Sequence, residues 1–212
     1  GWMGRFGLKK MRGKFTGQAA LGILSPGFNV NDLGYSSRTN VINYHAVAGY
    51  RWLKPTSWYR RIYLNLMGSQ NRDFDNNLTF QQVYGTTTII FPNYYSFNLS
   101  LQRTPDGLDH YATRGGPMMG YPGYINISGG AHTDQRKNVV GNVSVRRRSE
   151  DDGGYSTSVG GGITFRPDAS VRLSFFVNRT WAKNKNQWVS NVPDPAATWG
   201  NHYLFATIDQ QR

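Results

Sequence analysis

The 212-residue sequence contains no cysteine, so neither a disulfide framework nor a thiolate metal site is open to it. No apolar run approaches the ~18 residues that a membrane-crossing helix requires. No sustained i, i+3, i+4, i+7 apolar stripe occurs, and Leu and Ala are scarce, which does not fit a helical bundle. Glutamate occurs once, as Glu150, beside Asp151 and Asp152. Glycoside hydrolysis needs two carboxylates about 5–10 Å apart. The acidic residues here sit almost entirely in connecting segments and read as a solvated rim. His45, His110, His132 and His202 show no metal-ligand spacing. No catalytic constellation is visible, and no cofactor is expected.

What the chain does have is alternation. In YYSFNLSL, residues 94–101, Tyr95, Phe97, Leu99 and Leu101 share one parity, and Ser96, Asn98 and Ser100 the other. Strand side chains alternate faces, so one face is apolar and the other wet. The pattern recurs over residues 14–24, 41–52, 60–68, 121–131, 138–148, 155–165 and 170–181, and more weakly over 78–91. A loop over 182–201 separates the last of these from a strand beginning near His202. Residues 1–8 read as the end of a further strand. The connections are expected to run long, short, long, short, as in outer-membrane barrels, where short turns are periplasmic and long loops extracellular. Aromatics make up 14% of the chain and cluster at strand ends. Trp52, Trp58, Tyr59, Phe91, Tyr94, Tyr95 and Phe165 lie near short turns. Tyr121, Tyr124, Tyr155, Trp181 and Tyr203 lie near long loops. Two aromatic girdles are expected at two membrane interfaces. The fold expected is all-β: an antiparallel, up-and-down transmembrane β-barrel with about ten or eleven strands in this stretch. A soluble carbohydrate-binding β-sandwich or glycoside-hydrolase-associated module is the alternative.

The opening GWMGRFGLKKMRGK has no apolar signal core, and the closing DQQR is not the aromatic strand with which such barrels usually end. The expectation is a single barrel segment, interior to a longer barrel. Net charge is +12. A basic balance points to an anionic partner. No nucleic-acid motif occurs and the cations are dispersed, so nucleic acid is not expected.

SPGFNVNDLGY, residues 25–35, resembles the SPG-F-x-VNDLG motif of the domain-of-unknown-function 5916 family. GYRWLKP, TRGGPMM and the stretch from VPDP to YLFATIDQ are similar to the family's later segments, in the same order. The resemblance implies a cell-envelope protein. It also implies an N-terminal family-nine carbohydrate-binding-like domain ahead of a C-terminal outer-membrane barrel. It brings no catalytic residues.

Expected sites follow from the faces. Arg51, Arg61, Arg146, Arg148 and Arg172 fall on the wet parity and are expected to line a lumen. Arg147 and Arg179 fall on the apolar parity near a long-loop end. There they are expected to contact outer-leaflet lipid or lipopolysaccharide, since guanidinium grips phosphate in a bidentate fashion. Alternatively they snorkel, or pair with Asp151 or Asp152. Asp73, Asp75 and Asn77 form a D-x-D-x-N run like the start of a calcium loop. Leu78 replaces the glycine expected next, and no Glu closes the loop. The expected role is transport, anchoring or surface carbohydrate binding in the outer membrane of a Gram-negative bacterium. Partners would be outer-membrane lipid, and carbohydrate or other envelope proteins.

Overall fold

The computed structural model describes residues 1–29, 38–168 and 170–211. Residues 30–35 of the SPGFNVNDLGY motif lie outside the described residues. The described chain is all-β. Its elements are β1 (Met3–Lys10), β2 (Phe15–Leu24), β3 (Val41–Trp52), β4 (Arg61–Arg72), β5 (Leu78–Ile90), β6 (Ser96–Thr104), β7 (Gly107–Asp109), β8 (Met119–Tyr121), β9 (Tyr124–His132), β10 (Val139–Glu150), β11 (Tyr155–Phe165), β12 (Leu173–Pro193) and β13 (Asn201–Gln211). Eleven of them form one antiparallel sheet in the order β1-β2-β3-β4-β5-β6-β9-β10-β11-β12-β13, and β7 and β8 form a separate hairpin.

The register turns the sequence alternation into two continuous surfaces. One belt runs Trp52–Ile62–Ile89–Phe97–Ala131–Val143–Gly161–Val177 across eight strands. The belt one residue away runs Arg51–Tyr63–Thr88–Asn98–Gly130–Ser144–Gly160–Asn178. The apolar surface is open: Phe175 is 70% and Phe6 69% exposed, and Val140 is the only buried hydrophobic among the described residues. The most buried side chains are instead Thr104 and Asp73. Several apolar side chains depart from the rule, among them Val47, Met67, Ile90, Val140 and Phe176, whose ring lies across Gly162 on the polar face. A Cβ at Gly162 would meet that ring at 2.2 Å.

No second sheet packs on the large sheet among the described residues; besides their ladder neighbours, its strands meet only residues of turns and of the segment 105–123 that includes β7 and β8. That departs from a β-sandwich, which buries one face of each sheet against the other. The sheet is also not closed, since β1 and β13 end the order without pairing.

The expected rhythm of loop lengths does not hold. The stretch 182–201, expected as a loop, is mostly strand: β12 continues to Pro193, with register shifts at Asn184/Gln187 and Trp188/Ser190. Those bulges each insert unpaired residues, which scrambles the period-2 pattern in KNKNQW. Likewise β4 runs on to Arg72 and β10 to Glu150, leaving only residues 73–77 and 151–154 as connections. The strands outrun the apolar belt at this end. Both faces are polar there, so alternation no longer marks the strand.

Turn chemistry fixes the other end. Residues 91–95 join β5 to β6, with Tyr94 N donating to Phe91 O at 2.9 Å. Tyr94 sits at φ 65°, an uncommon region for a non-glycine residue. Two guanidinium groups, Arg60 at 4.1 Å and Arg136 at 3.2 Å from its centroid, hold the ring. Arg136 is in turn clamped by Asp134 at 2.9 and 2.7 Å.

Candidate functional site

The polar face carries a lattice of side-chain hydrogen bonds. Ser100 and Ser128 share one at 2.6 Å, and Asn43 donates to Asn71 at 2.6 Å. Gln102 donates to Gln82 at 2.8 Å and to the Tyr124 hydroxyl at 3.2 Å. Ser158 and Thr180 pair at 2.8 Å. Each bond joins adjacent strands or near neighbours, so the lattice fixes the rotamers on this face.

At the end where the strands run long, residues 105–123 fold over this face. The segment is tied on both sides. On one, His110 Nε2 meets the buried Asp73 carboxylate at 3.0 Å, and the Tyr121 hydroxyl donates to Thr79 O at 3.2 Å. On the other, Asn191 of β12 donates to Thr113 O at 3.4 Å, and Arg114 lies 3.8 Å from the Trp188 ring centroid. Gly116 is pressed against Tyr203 of β13; a Cβ there would fall 2.2 Å from the ring. Only glycine permits that approach.

Beneath the segment is a cavity of about 440 Å³. Arg38, Asn40, Asn71, Tyr121, Tyr124, Arg148, Glu150, Asn184 and Asn186 are among the residues lining it. Arg148 pairs with Glu150 at 2.8 Å and stacks 3.7 Å from the Tyr124 centroid. Burial, with Tyr124 and Asp109 nearby, pushes the Tyr121 phenol up. Burial also pushes the Asp73 carboxyl up. Hydrogen bonds from Asn77 and His110, with the charge of His110, outweigh that and hold it below the usual carboxylate range.

The expected site residues are placed as follows. Arg51 and Arg61 lie on the polar face toward the end that carries turn 91–95, and Arg51 donates to Met11 O at 2.9 Å. Arg146 and Arg148 lie on the same face toward the cavity. Arg172 is outside the strands, one residue before β12. The five therefore do not converge: they fall at two ends of the face. The register puts Arg147 opposite Ile127 and Thr157, and Arg179 opposite Val159, on the apolar face. The carboxylates offered as their alternative partners are engaged elsewhere. Asp151 takes Arg103 at 2.6 and 2.7 Å, and Asp152 accepts from Asn186 at 2.7 Å. Asp73 spends its oxygens on Asn77 N at 2.7 Å, Asn77 Nδ2 at 2.8 Å and His110. Among the described residues no three His, Cys, Asp or Glu side chains are grouped to hold a metal ion.

The Asp73–His110 tie and the amides of the β12 extension were not singled out as a site from the sequence. The polar NKN run and the two tyrosines of YPGY were the available signals.

A family model, Domain of unknown function (DUF5916), matches residues 1–210. The chain belongs to this family. No match is found among curated proteins or solved structures. For this family member the assignment covers the sheet, the hairpin and the segment over the cavity alike.

Proposed function

We propose that this sheet is a membrane-spanning segment of an outer-membrane β-barrel in a Gram-negative cell envelope, with its polar face toward a lumen. The observation that carries the reading is the inverted distribution of side chains. Phe6, Leu66, Leu101, Val143, Leu173 and Phe175 are exposed on one face, while the other, partly roofed by residues 105–123, holds serines, asparagines, glutamines and threonines. Water penalises an exposed apolar surface of this extent, and a bilayer does not. Strands of 9 to 13 residues from β2 to β11 in the large sheet suit a tilted crossing, for which about 9–11 residues are needed. Antiparallel pairing makes the two edge strands run the same way, so all-antiparallel closure takes an odd number of additional strands.

In this reading Arg51, Arg61, Arg146 and Arg148 sit along the lumen, and residues 105–123 narrow its mouth. The cavity beneath combines tyrosine faces with amides and a neutralised Arg–Glu pair. That set offers donors, acceptors and stacking surface without excess charge, which suits a hydroxyl-rich solute such as a small saccharide. No cofactor enters the reading. The test is extraction of the parent protein from Gram-negative membranes. Retention in the pellet after carbonate and high salt, with release by detergent, is the expected result. Release without detergent contradicts it.

A further inference from the structure

The apolar face has two different halves. On β1–β5 it holds a trough of about 630 Å³ over Ala19, Ala46 and Gly68, and no Lys or Arg lines it. On β6–β12 it holds a groove of about 830 Å³, floored by Ala131, Gly141 and Gly161 and walled by Phe97, Ile163 and Phe175. Above the second groove the register gathers four cations on the same face, Arg103, Arg147, Arg179 and Lys183, whereas above the first trough that face carries Arg72, bonded to Gln70 and Asn76. Arg103 is neutralised by Asp151. Arg147 and Arg179 have no carboxylate within 4.0 Å among the described residues. Arg147 donates to Ser149 and Thr157, and stacks 4.5 Å from the Tyr155 centroid. Arg179 stacks 5.0 Å from that of Trp181. The contacts orient both guanidinium groups and leave both charges uncompensated.

Resting on the membrane reading above, we infer that the β6–β12 outer face is a specific site for a phosphorylated amphiphile, an anionic membrane lipid. Its phosphate sits on Arg147 and Arg179, and an acyl chain runs down to the groove. Guanidinium binds phosphate through a planar pair of N–H donors, and the pair of charges is strengthened where water is scarce. Tyr155 and Trp181 belong at the headgroup level, where amphipathic rings settle. Val143, in the groove wall, lies four residues below Arg147 on β10, or about 13 Å at the strand rise. The small residues Ala131 and Gly161 leave the space that neighbours elsewhere in the belt fill. A free phosphate would use the cations and ignore the groove; a neutral lipid would do the reverse.

The test uses the full parent protein, purified in a neutral detergent, with bound lipid read by native mass spectrometry. Mixed micelles carry phosphatidylglycerol, or diacylglycerol, or detergent with inorganic phosphate. Retention of about one phosphatidylglycerol is expected, with neither other probe retained. R147Q/R179Q and A131F should each weaken retention about tenfold or more, R147K/R179K by less, and A46F in the other trough should change nothing. Equal retention of diacylglycerol, phosphatidylglycerol retention untouched by R147Q/R179Q, or equal loss in A46F overturns the site. Those failures in a protein that remains carbonate-resistant leave the barrel reading standing. Loss of carbonate resistance in the native protein sinks both.

Discussion

The two faces of the large sheet are built from the same strands, and their side chains differ by one step along the chain. Leu99 and Ser100, or Val145 and Ser144, are neighbours in sequence and opposites in setting. The serines bond to other side chains or lie among polar ones, and the aliphatics stand open. In a water-soluble antiparallel sheet the apolar face would be covered by a second layer. Here the apolar face is uncovered among the described residues, and it is the polar face that is partly roofed, by residues 105–123. The difference teaches that nothing among the described residues covers the apolar face.

The comparison breaks most sharply when a charge is moved between faces. Val143→Arg sits amid the apolar belt, four residues from Arg147, and is expected to cost about 2–4 kcal/mol if that belt meets lipid midplane. Ser144→Arg, one residue away on the polar face, is expected to cost under about 1 kcal/mol. Denaturant titration of the lipid-reconstituted protein compares them directly, and equal costs would erase the distinction between faces. Next in size is the roof. Gly116→Val pushes into Tyr203 and is expected to destabilise the roofing segment by about 1–3 kcal/mol, seen as faster proteolysis within 105–123 with the sheet intact.

A smaller effect follows from pH. The Asp73 carboxyl is held below its ordinary value, so its contribution is full above the unfolded value near 3.8 and fades as pH falls through the folded one. Cleavage of the roof by an acid-active protease should therefore rise below about pH 4, and Asp73→Ala should produce that susceptibility already at neutral pH. At the opposite end, the Arg136 clamp lowers Asp134 to about 2, so turn 133–138 should keep its order through the pH range that frees the roof. Smallest is Arg172→Gln, outside the strands, expected within about 0.5 kcal/mol of the parent.

Much of this architecture was legible in the sequence because the period-2 signal is strong wherever one face is apolar and the other polar. The belt through Phe97, Val143 and Val177 and its polar neighbour through Asn98, Ser144 and Asn178 could be written down residue by residue. Legibility failed where both faces are polar: the far end of β4, the end of β10 and the bulged half of β12 looked like loops. The roof was hidden for another reason. Its anchoring depends on Asp73 meeting His110 and Asn191 meeting Thr113, contacts between residues far apart in the chain that no local pattern encodes. The ring of Phe176 packed across Gly162 likewise has no local signal.

These 212 residues contain no cysteine, so single cysteines placed in them report directly once any elsewhere in the parent protein are replaced. Single cysteines placed at Leu99 and Ser100 of the parent protein, reconstituted in lipid and labelled with a nitroxide, report which solvent each face meets. The label at 99 should relax with oxygen dissolved in the bilayer and ignore a water-soluble nickel chelate, and the label at 100 should do the reverse. Equal access of the chelate to both positions would contradict the account.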